Sequence, residues 1–277
     1  MIIWSPSSWS MWKSCPAKYR IKKVEKWQHL GNRQDSQSAK LAVPGLVVDK
    51  MLQFWLHRNQ FNDKSWLNQN FDMVWSLVSS EIQPEWWCEE ESEDARSETQ
   101  RGLNTAIRML EELILEQYDI HIQPTIFEKI TEQFSIAGAA DLLLVEKETR
   151  KAVLIDFKNA HRRENITKDQ LIIYQIGLNR KSPLNIVKAG YLMYNHRVED
   201  WKWFKLSKDH ENKLLEKLSL ATEEVRQNKF DYNWNYYTCV RFCDVRYSCE
   251  MFLQFNNKMV RLAPSPNAKR FILKAHL

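Results

Sequence analysis

The chain has 277 residues, 44% of them apolar, with 12 Trp and 12 Phe, enough to fill a sizeable core in one large domain or two ordinary ones. No stretch approaches the roughly 18 uninterrupted apolar residues of a membrane span, and the opening MIIWSPSSWSMWKSCPAKYR lacks a charged segment followed by an apolar one. We therefore expect a soluble, unprocessed, cytoplasmic protein. The net charge of +5, from 40 basic and 35 acidic residues, permits a polyanionic partner without requiring one.

In chain order, apolar residues recur every three to four positions over Pro16–Lys26, over Leu46–His57 and near 64–80, which predicts three helices. IQPEWWCEEESEDARSE, with its proline and acidic run, predicts a loop leading into a long amphipathic helix over Glu98–Tyr118. The period then changes. Residues 121–134 alternate, and 140–145 and 152–157 are continuous apolar runs of strand length, as expected of central strands covered on both faces. A helix over Thr167–Asn179, a strand in IVKAGYLMY, an edge strand in WKWFKL and a helix near 207–227 complete the series. There is no internal repeat, and the 6 glycines leave little room for flexible linkers. One α/β domain with helical additions at both ends is the simplest reading.

Each of the two apolar runs carries a carboxylate where burial disfavours one. If 140–145 and 152–157 form a hairpin through EKETRK, the turn centre lies between residues 148 and 149, and Asp141 stands opposite Asp156. Directly opposite residues share a face with β-carbons roughly 5 Å apart, so two ionised carboxylates repel unless a cation lies between them. Lys158 returns to the same face by the strand period of two. Two acids and a lysine thus converge, a patch suited to Mg2+, which takes oxygen ligands, with the lysine orienting a water or stabilising phosphate charge. The plain alternative is a solvated rim at the strand ends. Gln170 and Tyr174, four apart on the following helix, share one of its faces.

Five cysteines in a chain without an export signal argue against a disulfide framework and toward reduced thiols, some able to hold a metal. Cys239, Cys243 and Cys249 form C-x3-C-x5-C, Cys15 lies near the other terminus, and Cys88 stands apart as a buried apolar residue. Four thiolates suit Zn2+ as well as an iron–sulfur cluster. The histidines at 57, 121, 196 and 210 show no partner spacing. The tryptophan-rich stretches suit packing better than base stacking.

In this order G-x-x-D (Gly138–Asp141), D-x-K (Asp156–Lys158) and Q-x-x-x-Y (Gln170–Tyr174) resemble the PD-(D/E)XK nuclease superfamily, and within it the RecB-like exonucleases. SPSSWSMWKSCPAKYR looks like that group's N-terminal S-x-S…CP-x-K-aromatic signature, and CDVRYSC like its C-terminal cysteine motif. The AddB nuclease domain and the CRISPR-associated RecB-like nucleases, whose four cysteines hold a [4Fe-4S] cluster, are similar by pattern.

The resemblance implies a restriction-endonuclease-like α/β fold, a central mixed sheet flanked by helices, its terminal helical additions joined by a cysteine-ligated cluster. One nuclease domain would span 1–277, with a core at about 120–200, an N-terminal helical part at 1–118 and the cysteine motif at 239–249. It implies a Mg2+- or Mn2+-dependent deoxyribonuclease, an exonuclease by preference. Asp141 and Asp156 would be metal ligands, the Phe157 carbonyl a further ligand, Lys158 the catalytic lysine, and Gln170 and Tyr174 an active-site pair touching DNA. Cys15, Cys239, Cys243 and Cys249 would ligate the cluster. Glu128 falls where relatives often carry a glutamate, and Arg162 and Arg163 suit phosphate contact. The partners implied are DNA, as single strands or ends, and a protein such as a helicase or recombination factor. The rival is a non-catalytic nucleic-acid-binding or assembly protein that kept the fold.

Three positions depart from the family pattern. GLVVD puts Asp49 where the family has the histidine of G-x-x-x-H, and aspartate suits Mg2+ or Mn2+. The first cysteine pair is C-x3-C where relatives have C-x2-C, and Asn159 replaces the usual threonine or serine.

Overall fold

A computed structural model describes residues 1–25, 36–58, 65–82, 88–159, 166–182, 184–195, 198–235, 239, 243, 245 and 248–262. The chain divides into two compact units, one of Met1–Pro6 with Gln34–Lys217, the other of Ser7–Arg33 with Leu218–Leu277.

The first unit is built on two sheets. Strands β2 (Tyr118–Ile122), β5 (Leu142–Glu146), β6 (Lys151–Lys158), β7 (Asn185–Asn195) and β8 (Val198–Phe204) form a five-stranded mixed sheet in the order β2-β5-β6-β7-β8. Only the β6–β7 pairing is parallel, and α6 (Asp169–Lys181) lies between those two strands in sequence, as a crossover requires. A three-stranded sheet pairs β4 (Phe134–Ala139) with β1 (Ile2–Trp4) and β3 (Thr125–Lys129). The predicted edge strand is β8, at one end of the larger sheet.

The β5–β6 hairpin has the predicted register, with Leu142 opposite Ile155 and Val145 opposite Ala152. Arg150 takes the left-handed conformation (φ 58°) that closes the loop, its N–H donating to the Glu146 carbonyl at 2.9 Å. One detail differs from expectation. The ladder begins at Leu142, and Ala140 and Asp141 form a bend joining the two sheets. The single alternating segment expected at 121–134 is instead two strand ends and a full strand. Gln123 (φ 49°) and Pro124 break it between β2 and β3, because proline brings no donor to a ladder.

Helices α3 (Ser36–Arg58), α4 (Ser65–Ile82) and α5 (Glu89–Glu111) cover one face of the larger sheet. Val47, Met51, Trp55, Phe71, Val74, Leu103, Ile107 and Leu110 meet Leu142, Leu144, Ile155 and Leu192 in one buried cluster. Two boundaries correct the sequence reading. Helix α3 starts ten residues before Leu46 and runs through Pro44, which removes one helical hydrogen bond without ending the helix. The acidic run is helical: Glu89, Glu90 and Glu91 occupy the first turn of α5, where negative charge complements the exposed N–H groups. Arg96 clasps Asp72 and Glu93, holding α4 to α5. The helix ends early, at Glu111, and Ile114 in the left-handed region (φ 49°) turns the chain toward β2.

On the other face α6 contacts β3, β4, β6 and β7. The absence of a side chain at Gly177 lets Ile126 of β3 approach closely.

The second unit contains α1 (Pro6–Ser14), α2 (Pro16–Tyr19), a single π-type turn at Arg20–Val24, the end of α7 (Lys208–Arg226) and α8 (Glu250–Leu262). The predicted helix from Pro16 is therefore two short pieces. Helix α8 lies outside the helices expected from the sequence. Hydrogen bonds join the unit's two chain segments: backbone Ala17 N donates to Asp231 O at 3.2 Å, and the Asn233 side-chain Nδ2 to Ser14 O at 2.9 Å. Among the described residues no helix is long and apolar enough to cross a membrane.

Candidate active site

Asp156 lies near the end of β6, 1% exposed, on the face that α6 covers. Its two oxygens have different neighbours. Gln170 Nε2 donates to Oδ1 at 2.6 Å, and Lys158 Nζ faces Oδ2 at 2.5 Å as an ion pair. Beyond that ion pair, Oδ2 has no further hydrogen-bond partner among the described residues. Strand period explains why Lys158 is there, since it lies two residues along the same face.

Asp141 joins them from the bend before β5. Its Oδ2 accepts the N–H of Phe157 at 2.7 Å, so a side chain takes the ladder place that the bend leaves open. Its backbone carbonyl accepts the N–H of Gln123 at 3.1 Å, which ties the bend to the end of β2.

Helix α6 contributes its first turns. Gln170 Nε2 also donates to Tyr174 Oη at 2.9 Å, so the pair that was expected to share a face does so in contact. Gly138 belongs to the same arrangement. A side chain there would begin 3.1 Å from Tyr174 Cε1 and 3.3 Å from Pro6 Cδ, so glycine lets β4 lie against the tyrosine ring.

Asp49 comes from α3. Burial raises its carboxyl to about 7, the nearby charge of Asp141 adds to that, and Lys158 opposes it. Asp156 is pushed up to about 8 by burial first, then by the charge of Asp141, against the pull of Lys158. Asp141 is raised too, by burial, against the Phe157 N–H and Lys158. Three carboxyl groups thus share one poorly solvated place with one ammonium, more negative charge than the site holds comfortably near neutral pH.

Two tyrosines were missed in the sequence. Tyr191 pairs directly with Asp156 across the parallel β6–β7 ladder, and Lys158 Nζ lies 5.5 Å from the centre of its ring. Tyr194 is 3% exposed, with its hydroxyl 3.9 Å from where a side chain on Gly45 of α3 would begin, one turn before Asp49. Burial raises the hydroxyl pKa of Tyr194, and Asp49, Asp141 and Asp156 add to it. The strand was legible, but its register against β6 was not, and only the register brings these rings to the acids.

Glu128 is on β3, opposite Ile136 in the three-stranded sheet. Arg162 and Arg163 lie outside the described residues. Asn159 is held in place: its Oδ1 accepts from Asn195 Nδ2 at 2.7 Å, a role the smaller threonine or serine would not reach as easily.

A sequence profile of the PD-(D/E)XK nuclease superfamily matches residues 3–250. The chain belongs to that superfamily. No curated protein sequence matches it significantly. Among solved structures it is similar to SSO0001, at 13% identity and TM-score 0.38, covering 85% of this chain and 94% of that one. It is also similar to a candidate exonuclease from Eubacterium rectale, at 11% identity and TM-score 0.47, covering 88% and 86%. At those values neither likeness bears on activity.

Divalent metals serve this superfamily, and the donor types suit one: three carboxylates, with Asp156 Oδ2 held by nothing beyond its ion pair with Lys158. As the side chains stand, no group of three or more His, Cys, Asp or Glu among the described residues is arranged to hold a metal ion. The four cysteines all belong to the second unit, none in a disulfide, and among the described residues they form no metal-ligand set. Cys239 Sγ instead accepts from Asn235 N at 3.4 Å. The expected iron–sulfur centre therefore has no structural support in this arrangement.

Proposed function

We propose that this nuclease is a Mg2+- or Mn2+-dependent deoxyribonuclease that hydrolyses phosphodiesters by attack of water, acting as an exonuclease on DNA ends or single strands. The observation that carries the reading is the convergence of Asp49, Asp141 and Lys158, all partly exposed, on the buried Asp156. Those aspartates and the Phe157 carbonyl would hold the metal, which supplies Lewis-acid stabilisation of phosphate charge and a more acidic water. Lys158, once freed from Asp156, would orient the attacking water or meet the developing charge on the phosphate. Gln170 keeps Asp156 in one orientation through Oδ1 and touches Tyr174, the proposed DNA contact. Arg162 and Arg163, next in sequence after the site strand, are proposed phosphate contacts.

The test is degradation of end-labelled linear DNA, single- and double-stranded, beside a closed circle, with Mg2+ and with Mn2+. Loss of the linear forms with the circle spared is the expected result. Nicking of the circle would make the enzyme an endonuclease, and no hydrolysis of any form with either metal would refute the reading. One observation favours the rival, a non-catalytic DNA-binding role: the acids as they stand form no metal cage. DNA retention without hydrolysis would establish it.

We also carry forward the [4Fe-4S] staple on Cys15, Cys239, Cys243 and Cys249. It rests on the sequence resemblance and on the fact that all four fall in one unit whose segments are hydrogen-bonded to each other. Iron and sulfide analysis after anaerobic purification tests it. A colourless, iron-free protein would remove the cluster from the account, and zinc in its place would make the staple a zinc site.

A further inference from the structure

Outside the groups already assigned to the chemistry, one side chain is bound to the site from two directions. Tyr191 is 1% exposed and stands beside Asp156 in the parallel ladder, so its ring shares the face of Asp156 and Lys158. Lys158 Nζ lies 5.5 Å from the ring centre, within reach of a cation–π attraction. Phe204 meets the same ring edge-on, at 5.8 Å and 89°, and fixes its plane. The hydroxyl donates to the Thr167 carbonyl at 2.8 Å, three residues before Gln170. Lys202 Nζ of β8 donates to the neighbouring Ile166 carbonyl at 3.1 Å, so two strands pin the lead-in to α6.

We propose that Tyr191 is a positioning residue for the nuclease reaction: its ring holds the Lys158 ammonium on the reacting side of the sheet, and its hydroxyl fixes the start of the helix that carries Gln170. This rests on the nuclease reading of the site. With Asp156 committed to a divalent cation, the ammonium is repelled from Oδ2, and 32% of the lysine side chain is open to solvent. The ring is the surface that keeps it from swinging away. Ring and hydroxyl are separable, because phenylalanine keeps the first and loses the second.

The experiment combines steady-state kinetics on DNA with the NMR signal of the Lys158 ε-methylene protons, assigned with Lys158→Arg, in the full chain with Mg2+. In the wild type those protons resonate upfield of exposed lysines, shifted by the ring. Tyr191→Phe keeps that shift but, without the bond to the Thr167 carbonyl, loses a few-fold in kcat. Tyr191→Leu loses the shift and roughly ten- to thirtyfold in kcat with little change in KM, the scale of a partly desolvated cation–π contact. A wild-type ε-methylene signal at the exposed-lysine position overturns the proposal without any variant, even if Tyr191→Leu does not fold. So does a folded Tyr191→Leu with wild-type kcat. A wild type that shows the shift but never cuts DNA refutes the nuclease reading, and the catalytic role of Tyr191 with it.

Discussion

Asp156 concentrates the electrostatics of the site. It rises to about 8 and Asp49 to about 7, from an ordinary 3.8, because burial and neighbouring acids penalise their charges more than Lys158 relieves them. The native chain therefore holds more protons than the unfolded chain from about pH 4 to about pH 8, and metal-free stability falls as pH rises through that window. We expect the Tm of the metal-stripped protein to drop between about pH 5 and about pH 8. Asp156→Asn flattens the drop, and Mg2+ raises Tm more at the upper pH than at the lower. A Tm that climbs over the same range would contradict the assignment. Gln170 is the second residue to test. It is the hydrogen-bond donor to Asp156 Oδ1, so Gln170→Ala should cost roughly 10- to 100-fold in activity or metal affinity, the usual scale for a group that orients a metal ligand. Metal titration by calorimetry separates the two effects, and an unchanged variant would mean that Gln170 does not orient the acid.

At the scale of elements, the hairpin was readable because two apolar runs flank a turn-forming loop and the strand period is two. Counting outward from the loop placed Asp141 and Asp156 together, and the observed register agrees. The same counting did not show that Asp141 sits in a bend, because a side-chain acceptor can replace a backbone one without changing the apolar pattern. Tyr191 and Tyr194 stayed hidden for a related reason: parallel register depends on the crossover and leaves no local mark. The acidic first turn of α5 read as loop because charge runs are usually solvated, while here the helix terminus favours them. Close packing supplies a prediction at this scale. A side chain on Gly190 of β7 would collide with the ring of Trp203 on β8, so Gly190→Val should destabilise the fold by about 1–3 kcal/mol. Denaturant unfolding measures it, and unchanged stability would show that β8 yields freely.

At the scale of the whole molecule, the family match runs from residue 3 to residue 250 and takes in parts of both compact units. The first unit carries every acid, amide and lysine of the proposed chemistry, and the second carries the four cysteines assigned to the staple. The motif blocks were legible because catalysis restricts residue type and spacing at a few places. The cysteine arrangement was not, since a ligand set depends on how loops close. The measurement that bears most directly on the account is hydrolysis of end-labelled linear DNA by the wild type and by Asp156→Ala, each with Mg2+ and Mn2+. The account predicts metal-dependent degradation by the wild type and none by the variant; equal hydrolysis by both, or none by the wild type, would contradict it.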